Sequence, residues 1–312
     1  MTKRKSVLLA ALVFLCAVYT LQAVFSSRGG AEILETETVP DRLEIRGNGT
    51  GSFVLVRRAA ENGGEDSWFL EGQNFPADPV VARRMAETVS SLRLLGTVSA
   101  EAGSAAFGLD ESSVLQVTAY SGSGVIRRLD IGKTSVTGAQ TYAVVDGENS
   151  VRLVSGDLRA RFAFTAEEVR DHRVFSLDPA AISRITCESA AGSFTLEKNG
   201  QPPVWQLASG GTSAGSGDPE KIASWVSSAV NLQAAGFPQD TAAGDFAGAE
   251  PAATVRFTMQ DGEVTLTLYP PVSEEDNFFR ALSSAQPWPF TLSSYTAERY
   301  QKDPAEFAAD VP

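Results

Sequence analysis

One arrangement of strand, turn and helix signals occurs twice in this chain, and that repetition limits the fold more than any other feature. The first copy opens with Arg42-Leu-Glu-Ile45, Gly51-Ser-Phe-Val-Leu55 and Trp68-Phe-Leu70; the second opens with Ile182-Ser-Arg-Ile185, Gly192-Ser-Phe-Thr-Leu196 and Val204-Trp-Gln-Leu207. Each set leads into an aspartate followed by proline, Asp78-Pro79 and Asp218-Pro219. That dipeptide starts a helix, because the carboxylate accepts free backbone N–H groups and proline has none to lose. Val81, Met85, Val89 and Leu92 form one apolar face after Pro79, and Ile222, Trp225, Val226, Ala229 and Val230 form another after Pro219.

A polar stretch rich in alanine and glycine is expected after each helix, followed by a hairpin. Val114 to Tyr120 and Gly124 to Ile131 flank one turn, and Ala253 to Met259 and Glu263 to Tyr269 flank the other. Further strands are expected at Tyr142 to Val145, Val151 to Val154, Phe278 to Leu282 and Phe290 to Leu292. Thr165 and Thr296 are positioned to cap a closing helix in each copy, with Glu168 completing a capping box in the first alone. A repeat of this length implies duplication of a whole domain, not a solenoid. The expected fold is α+β: two tandem copies of a mainly antiparallel sheet with a packed helix, residues 31–172 and 173–312, after one N-terminal transmembrane helix.

That helix is expected over residues 7–25, behind a cytoplasmic tail of residues 1–6. Val7 to Phe25 contains no charge and, as a helix, spans about 28 Å, close to the hydrocarbon thickness of a bilayer. Lys3, Arg4 and Lys5 precede it, and Glu32, Glu35 and Glu37 follow, so the positive-inside rule places the body outside the cytoplasm. A cleaved signal peptide is the competing reading, although Val24-Phe25-Ser26 is a poor cleavage site. A lipoprotein reading through Cys16 meets Leu15 where a small residue is wanted. Beyond Lys5 the chain carries 23 of its 26 basic residues against 38 acidic ones. An acidic body repels phosphate backbones, which argues against nucleic-acid partners.

The ordered motifs Trp68, Phe75-Pro-Ala-Asp78, Phe107-Gly-Leu-Asp110, Leu129-Asp-Ile-Gly132, Tyr142-Ala-Val and Val169-Arg-Asp-His-Arg-Val-Phe175 resemble the bacterial family called domain of unknown function 4340. The resemblance is close over the first copy and looser over the second. It implies a single-span protein of the cytoplasmic membrane encoded beside ABC transporters of the gliding-motility type, with its body on the periplasmic side and no assigned enzymatic activity.

The residues themselves offer little chemistry. Gly211-Thr-Ser213-Ala-Gly215 matches a hydrolase elbow, but it lies in a serine- and glycine-rich loop, and the sole histidine, His172, falls between the copies on an expected helix. Gly132-Lys-Thr134 lacks the upstream glycine of a phosphate loop, since Arg127 stands there. One histidine and one cysteine beyond the apolar run leave zinc almost no ligands. Ser273-Glu-Glu-Asp-Asn277 and Asp146-Gly-Glu-Asn149 lack calcium-loop spacing. Cys187 alternates away from Thr186 in a strand and reads as a buried thiol. Trp288, held extended by Pro287 and Pro289, is the candidate partner-binding residue.

The leading expectation is therefore a non-enzymatic, membrane-anchored interaction subunit without catalytic, cofactor or metal residues, engaging an ABC transporter or envelope proteins. The alternatives are a binding module for peptide, glycan or polymer and, third, a hydrolase using paired carboxylates such as Asp110 and Asp130.

Overall fold

The computed structural model describes residues 31–47, 51–59, 66–72, 74–103, 105–209, 217–238, 243–246, 248–271 and 277–308. The apolar run of residues 7–25 lies outside them, and among the described residues no helix is long and apolar enough to cross a membrane. The chain divides into two compact units between Asp171 and His172.

The first unit runs β1 (Glu32–Glu35), β2 (Arg42–Gly47), β3 (Gly51–Arg58), β4 (Ser67–Leu70), β5 (Phe75–Pro76), α1 (Pro79–Ser90) and β6 (Ser91–Ser99). It continues with β7 (Leu115–Ser121), β8 (Gly124–Thr134), β9 (Gln140–Val145), β10 (Val151–Ser155), α2 (Arg159–Phe162) and α3 (Ala166–Val169). Its strands form one sheet in the order β1-β6-β10-β9-β8-β7-β2-β3-β4-β5.

The second unit runs β11 (Arg173–Ser176), β12 (Ile182–Ser189), β13 (Gly192–Asn199), β14 (Val204–Ser209), α4 (Pro219–Ala229), β15 (Asn231–Gln233) and β16 (Ala253–Met259). It ends with β17 (Gly262–Tyr269), β18 (Phe278–Ser283), β19 (Gln286–Ser293) and α5 (Ser294–Glu298). Its main sheet has the order β14-β13-β12-β16-β17-β18-β19, and β11 pairs with β15 separately.

Over seven strands these orders follow the same path, β10-β9-β8-β7-β2-β3-β4 in the first unit answering β19-β18-β17-β16-β12-β13-β14 in the second. Ile45 lies opposite Phe53 on β3 and Val117 on β7, and Cys187 lies opposite Phe194 on β13 and Val255 on β16. Trp68 faces Arg57 and Trp205 faces Lys198, so the two tryptophans hold one register position. The first strand of each unit pairs with the strand leaving the helix, Glu35 opposite Ser91 and Ser176 opposite Asn231. The β6–β10 ladder, which passes through Gly96 and Leu153, shrinks in the second unit to one bridge between Gly236 and Thr291. Pro238 follows at once and brings no N–H to continue it.

The expected α+β class is corrected to a mostly β one, because nineteen antiparallel strands are set against only two helices longer than five residues among the described residues. The apolar spacing that seems to carry the first helix to Leu92 is coincidental beyond Ser90. Ser91 turns to φ −140°, and Leu92 and Leu94 are buried on alternate positions of β6. Strand, not a loose polar stretch, therefore leaves each helix. The closing helices last one turn. Thr165 and Glu168 do form the capping box of α3, whereas α5 is capped by Ser293, one turn before the expected Thr296.

Asp78 accepts from the N–H groups of Val80 at 2.8 Å and Val81 at 3.0 Å, and Asp218 caps α4 in the same way from Glu220 at 2.9 Å. Each helix then lays one face on its own sheet: Ala82, Met85, Ala86 and Val89 in the first unit, Ile222, Trp225, Val226 and Ala229 in the second. The two large buried clusters share no residue, one ending at Val169 and the other beginning at Val174.

Trp68 and Trp205, 6% and 7% exposed, sit in separate cores. Replacing either with alanine is expected to destabilise its own unit by about 3–5 kcal/mol and to leave the other unchanged. Denaturant-dependent hydrogen exchange resolved by segment checks this; an equal loss in both units from one substitution would overturn the description of two independent cores.

Candidate functional site

Alternation on β2, β7 and β8 buries Leu43, Ile45, Val117, Ala119, Leu129 and Ile131 against α1 and turns the intervening residues to the opposite face. Those residues are long and polar. Arg46, Gln116 and Asp130 form one cross-strand row, and Glu44, Thr118 and Arg128 form the next. They line a depression of about 350 Å³ on the open face of the sheet. A second depression of about 490 Å³ shares Arg46, Gln116 and Asp130 with the first and continues to Leu109, Glu111 and Val114. Together they make a trough across five strands, from Ser52 on β3 to Val144 on β9.

Each row carries one positive and one negative end about a neutral residue, and internal bonds hold several of the groups. Glu44 receives Arg42 at 3.1 Å and Arg46 at 3.2 Å, and Gln116 donates to Asp130 at 3.1 Å. Exposed pairs of this kind add little stability, so they position side chains more than they hold the fold. Arg46 remains 67% exposed.

The floor at one end is built by the motifs that carry the family resemblance. Gly108 adopts φ +67°, and Gly132 lies so close to the loop that a Cβ would meet the Phe107 carbonyl oxygen at 2.2 Å. The Phe107 and Tyr142 rings stand 5.1 Å apart over Leu109, Val144 and Val151. Gly132 is thus a packing glycine at a strand end, and its carbonyl accepts from Arg159 Nε at 2.7 Å. Phe107-Gly-Leu-Asp110, Leu129-Asp-Ile-Gly132 and Tyr142-Ala-Val meet at this one place.

Asp110 and Asp130 each serve locally. Asp110 closes a turn, and hydrogen bonds from Ser112 and Ser113 hold its carboxyl below the usual carboxylate range. Asp130 is the bonded partner of Gln116. His172 lies on no helix; its Nδ1 is 3.1 Å from the Ala234 carbonyl oxygen, and its ring meets Phe237 edge-on. The 211–215 motif with Ser213, and Glu274 to Asp276, lie outside the described residues. Asp146 accepts from Arg127 Nη1 at 2.7 Å and from the Arg128 N–H at 2.8 Å, which commits that turn to the buried Arg127. Among the described residues no three of His, Cys, Asp or Glu converge as metal ligands.

Trp288 stands half-buried in β19, the last strand of its sheet, where flanking prolines remove few ladder hydrogen bonds. Of the candidate chemical residues singled out in the sequence, Asp130 lies on the trough, and Leu109 and Gly147, from two of the quoted motifs, also line it. The signal the trough's other walls carry in the sequence is a period-two alternation of polar residues, Glu44 and Arg46, then Gln116, Thr118 and Tyr120, which marks an open face but not which strands share it.

Cys187 is buried in β12 with its Sγ 3.2 Å from the Tyr300 carbonyl oxygen, and burial pushes its thiol up to about 12. Because the folded value lies above the unfolded one, the neutral thiol's contribution is intact below about pH 9 and is lost as pH rises towards 12. Thiol labelling at pH 8 is expected to modify Cys187 only after unfolding, and the second unit is expected to weaken above pH 9, less so in Cys187→Ala. Rapid labelling of the folded protein would contradict the burial.

No curated protein and no solved structure matches the chain. Residues 68–215, from the first paired tryptophan across the Asp171/His172 boundary into the second unit, match the family described as Domain of unknown function (DUF4340).

Proposed function

We propose that the chain is a non-enzymatic, extracytoplasmic interaction subunit tethered to the cytoplasmic membrane by its apolar run Val7 to Phe25, and accessory to an ABC transporter or envelope assembly. The observation that carries this reading is the family match over residues 68–215, because the resemblance implies single-span proteins encoded beside such transporters. The asymmetry of Lys3, Arg4 and Lys5 against Glu32, Glu35 and Glu37 supports the orientation. The non-enzymatic part is supported by how the candidate groups are used. Asp110 is bonded within its turn, Cys187 is held as a neutral thiol, and His172 packs on Phe237. An activated nucleophile needs a base within hydrogen-bond reach instead.

A reporter active only outside the cytoplasm is expected to be active when fused after Pro312, and affinity purification from membranes is expected to recover transporter or envelope subunits. His172→Ala and Ser213→Ala are expected to complement a deletion strain fully, whereas a secreted body lacking Val7 to Phe25 is not. Cytoplasmic reporter activity would reverse the topology. Loss of function in either point variant, with normal folding and membrane level, would overturn the non-enzymatic reading.

A further inference from the structure

We infer that the trough on the open face of the first unit's sheet is a binding site for a neutral oligosaccharide, a function beyond the tethered-subunit reading and independent of it. Three observations carry this. The first is the chemistry of the walls. Arg46, Arg128, Glu44 and Asp130 place two positive and two negative groups around Gln116 and Thr118, with Glu111 at the rim of the second depression, so the walls mix both signs and form no uniform field that selects an ion. Planar guanidinium, carboxylate and amide groups offer paired donors and acceptors at the spacing of vicinal hydroxyls. Peptide grooves draw affinity from apolar side chains seated in pockets. Here Val117 and Leu129 point into the core, 1% exposed, and the walls are polar.

The second observation is shape. Two depressions joined through Arg46, Gln116 and Asp130 make a trough that suits several linked sugar rings better than one small molecule. The half-buried ring of Tyr120, with the Arg42 guanidinium 6.0 Å from its centroid, gives one end a surface on which a sugar can stack.

The third comes from the repeat. At the same register positions the second unit carries Glu188, Thr254 and Thr267 in one row and Thr186, Arg256 and Thr265 in the next. Threonine suits a solvated sheet face through its β propensity alone. Threonine stands at four of the six positions, where the first unit has Glu44, Gln116, Arg128 and Asp130, so the fold does not require those four longer polar side chains and their presence calls for another cause.

The test uses the full chain, purified in a detergent without a sugar headgroup, with maltotetraose, cellotetraose and chitotetraose as probes and a Lys/Glu tetrapeptide as the competing class. Saturation-transfer NMR and calorimetry are expected to show at least one tetrasaccharide binding with a Kd near or below about 1 mM. Arg128→Ala and Asp130→Asn are each expected to weaken it about tenfold, a usual loss for one charged hydrogen bond. Thr254→Ala, at the register position of Gln116 in the second unit, is expected to leave it unchanged. Both trough residues lie on an open sheet face, and an unchanged circular dichroism melt separates lost binding from lost folding. The inference is overturned if no tetrasaccharide binds up to about 10 mM, if binding persists undiminished in both trough variants, or if the tetrapeptide alone binds.

Discussion

Each unit depends on one constraint: an antiparallel sheet with a single helix to cover it can bury only one face. Because successive strand residues point to opposite sides, burial of Leu43 and Ile45 beneath α1 forces Arg42, Glu44 and Arg46 outward, and the rule repeats through β7 and β8. A slip of one residue would drive three charged side chains into the core. Register, helix placement and the identity of the open face are thus one decision. The trough follows from it, since its walls are the residues that the core cannot accept.

The repeat shows which features that decision requires. Both units keep the central trio of strands, the helix entered through an aspartate cap and Pro79 or Pro219, the tryptophan on the fourth strand and the first strand returning to pair beside the helix exit. They differ where the constraint is silent. The first unit extends its post-helix strand to nine residues and joins everything into one sheet, while the second stops at three. The first also holds Arg127 at 4% exposure, donating to Asp146 and, at 3.3 Å, to the Val89 carbonyl oxygen at the end of α1, where a cation meets the negative end of the helix dipole. These differences mark sites at which the two copies are free to diverge in use.

How much of this was legible in the sequence follows from the range of the forces involved. Helix starts and hairpins were readable, because Asp78-Pro79, Asp218-Pro219 and the alternating runs around residues 122 and 260 act over a few residues. The capping box at Thr165 was readable for the same reason. The end of the first helix was not, because Leu92 continues the helical spacing by chance and only its pairing with Leu34 across β1 makes it a strand residue. The mostly β class went unrecognised for that reason too, since β6 and β15 are recruited by distant partners. Trp68 and Trp205 could be matched from sequence, but the trough could not. Its rows join residues 46, 116 and 130, which only the register brings side by side.

The motifs that carry the family resemblance can be separated into two jobs on these grounds. Trp68 and Phe75-Pro-Ala-Asp78 serve the covered face: the tryptophan is core, Asp78 starts the helix, and Phe75 lies under the Arg170 guanidinium at 3.5 Å. Phe107-Gly-Leu-Asp110, Gly132 and Tyr142 serve the open face, where they pack a loop against β8 and β9. A sheet face left to water needs no such loop, and adding one requires the close approach that Gly132 alone permits, with the Phe107 carbonyl oxygen where a Cβ would stand. The loop fixes one end of the trough by bringing Leu109, Glu111 and Val114 to its rim. Burial contributes by apolar area on either face, so the small cluster of Leu109, Val144 and Val151 gives the first unit a second, minor core, and the same loop that builds it sets the rim of the trough.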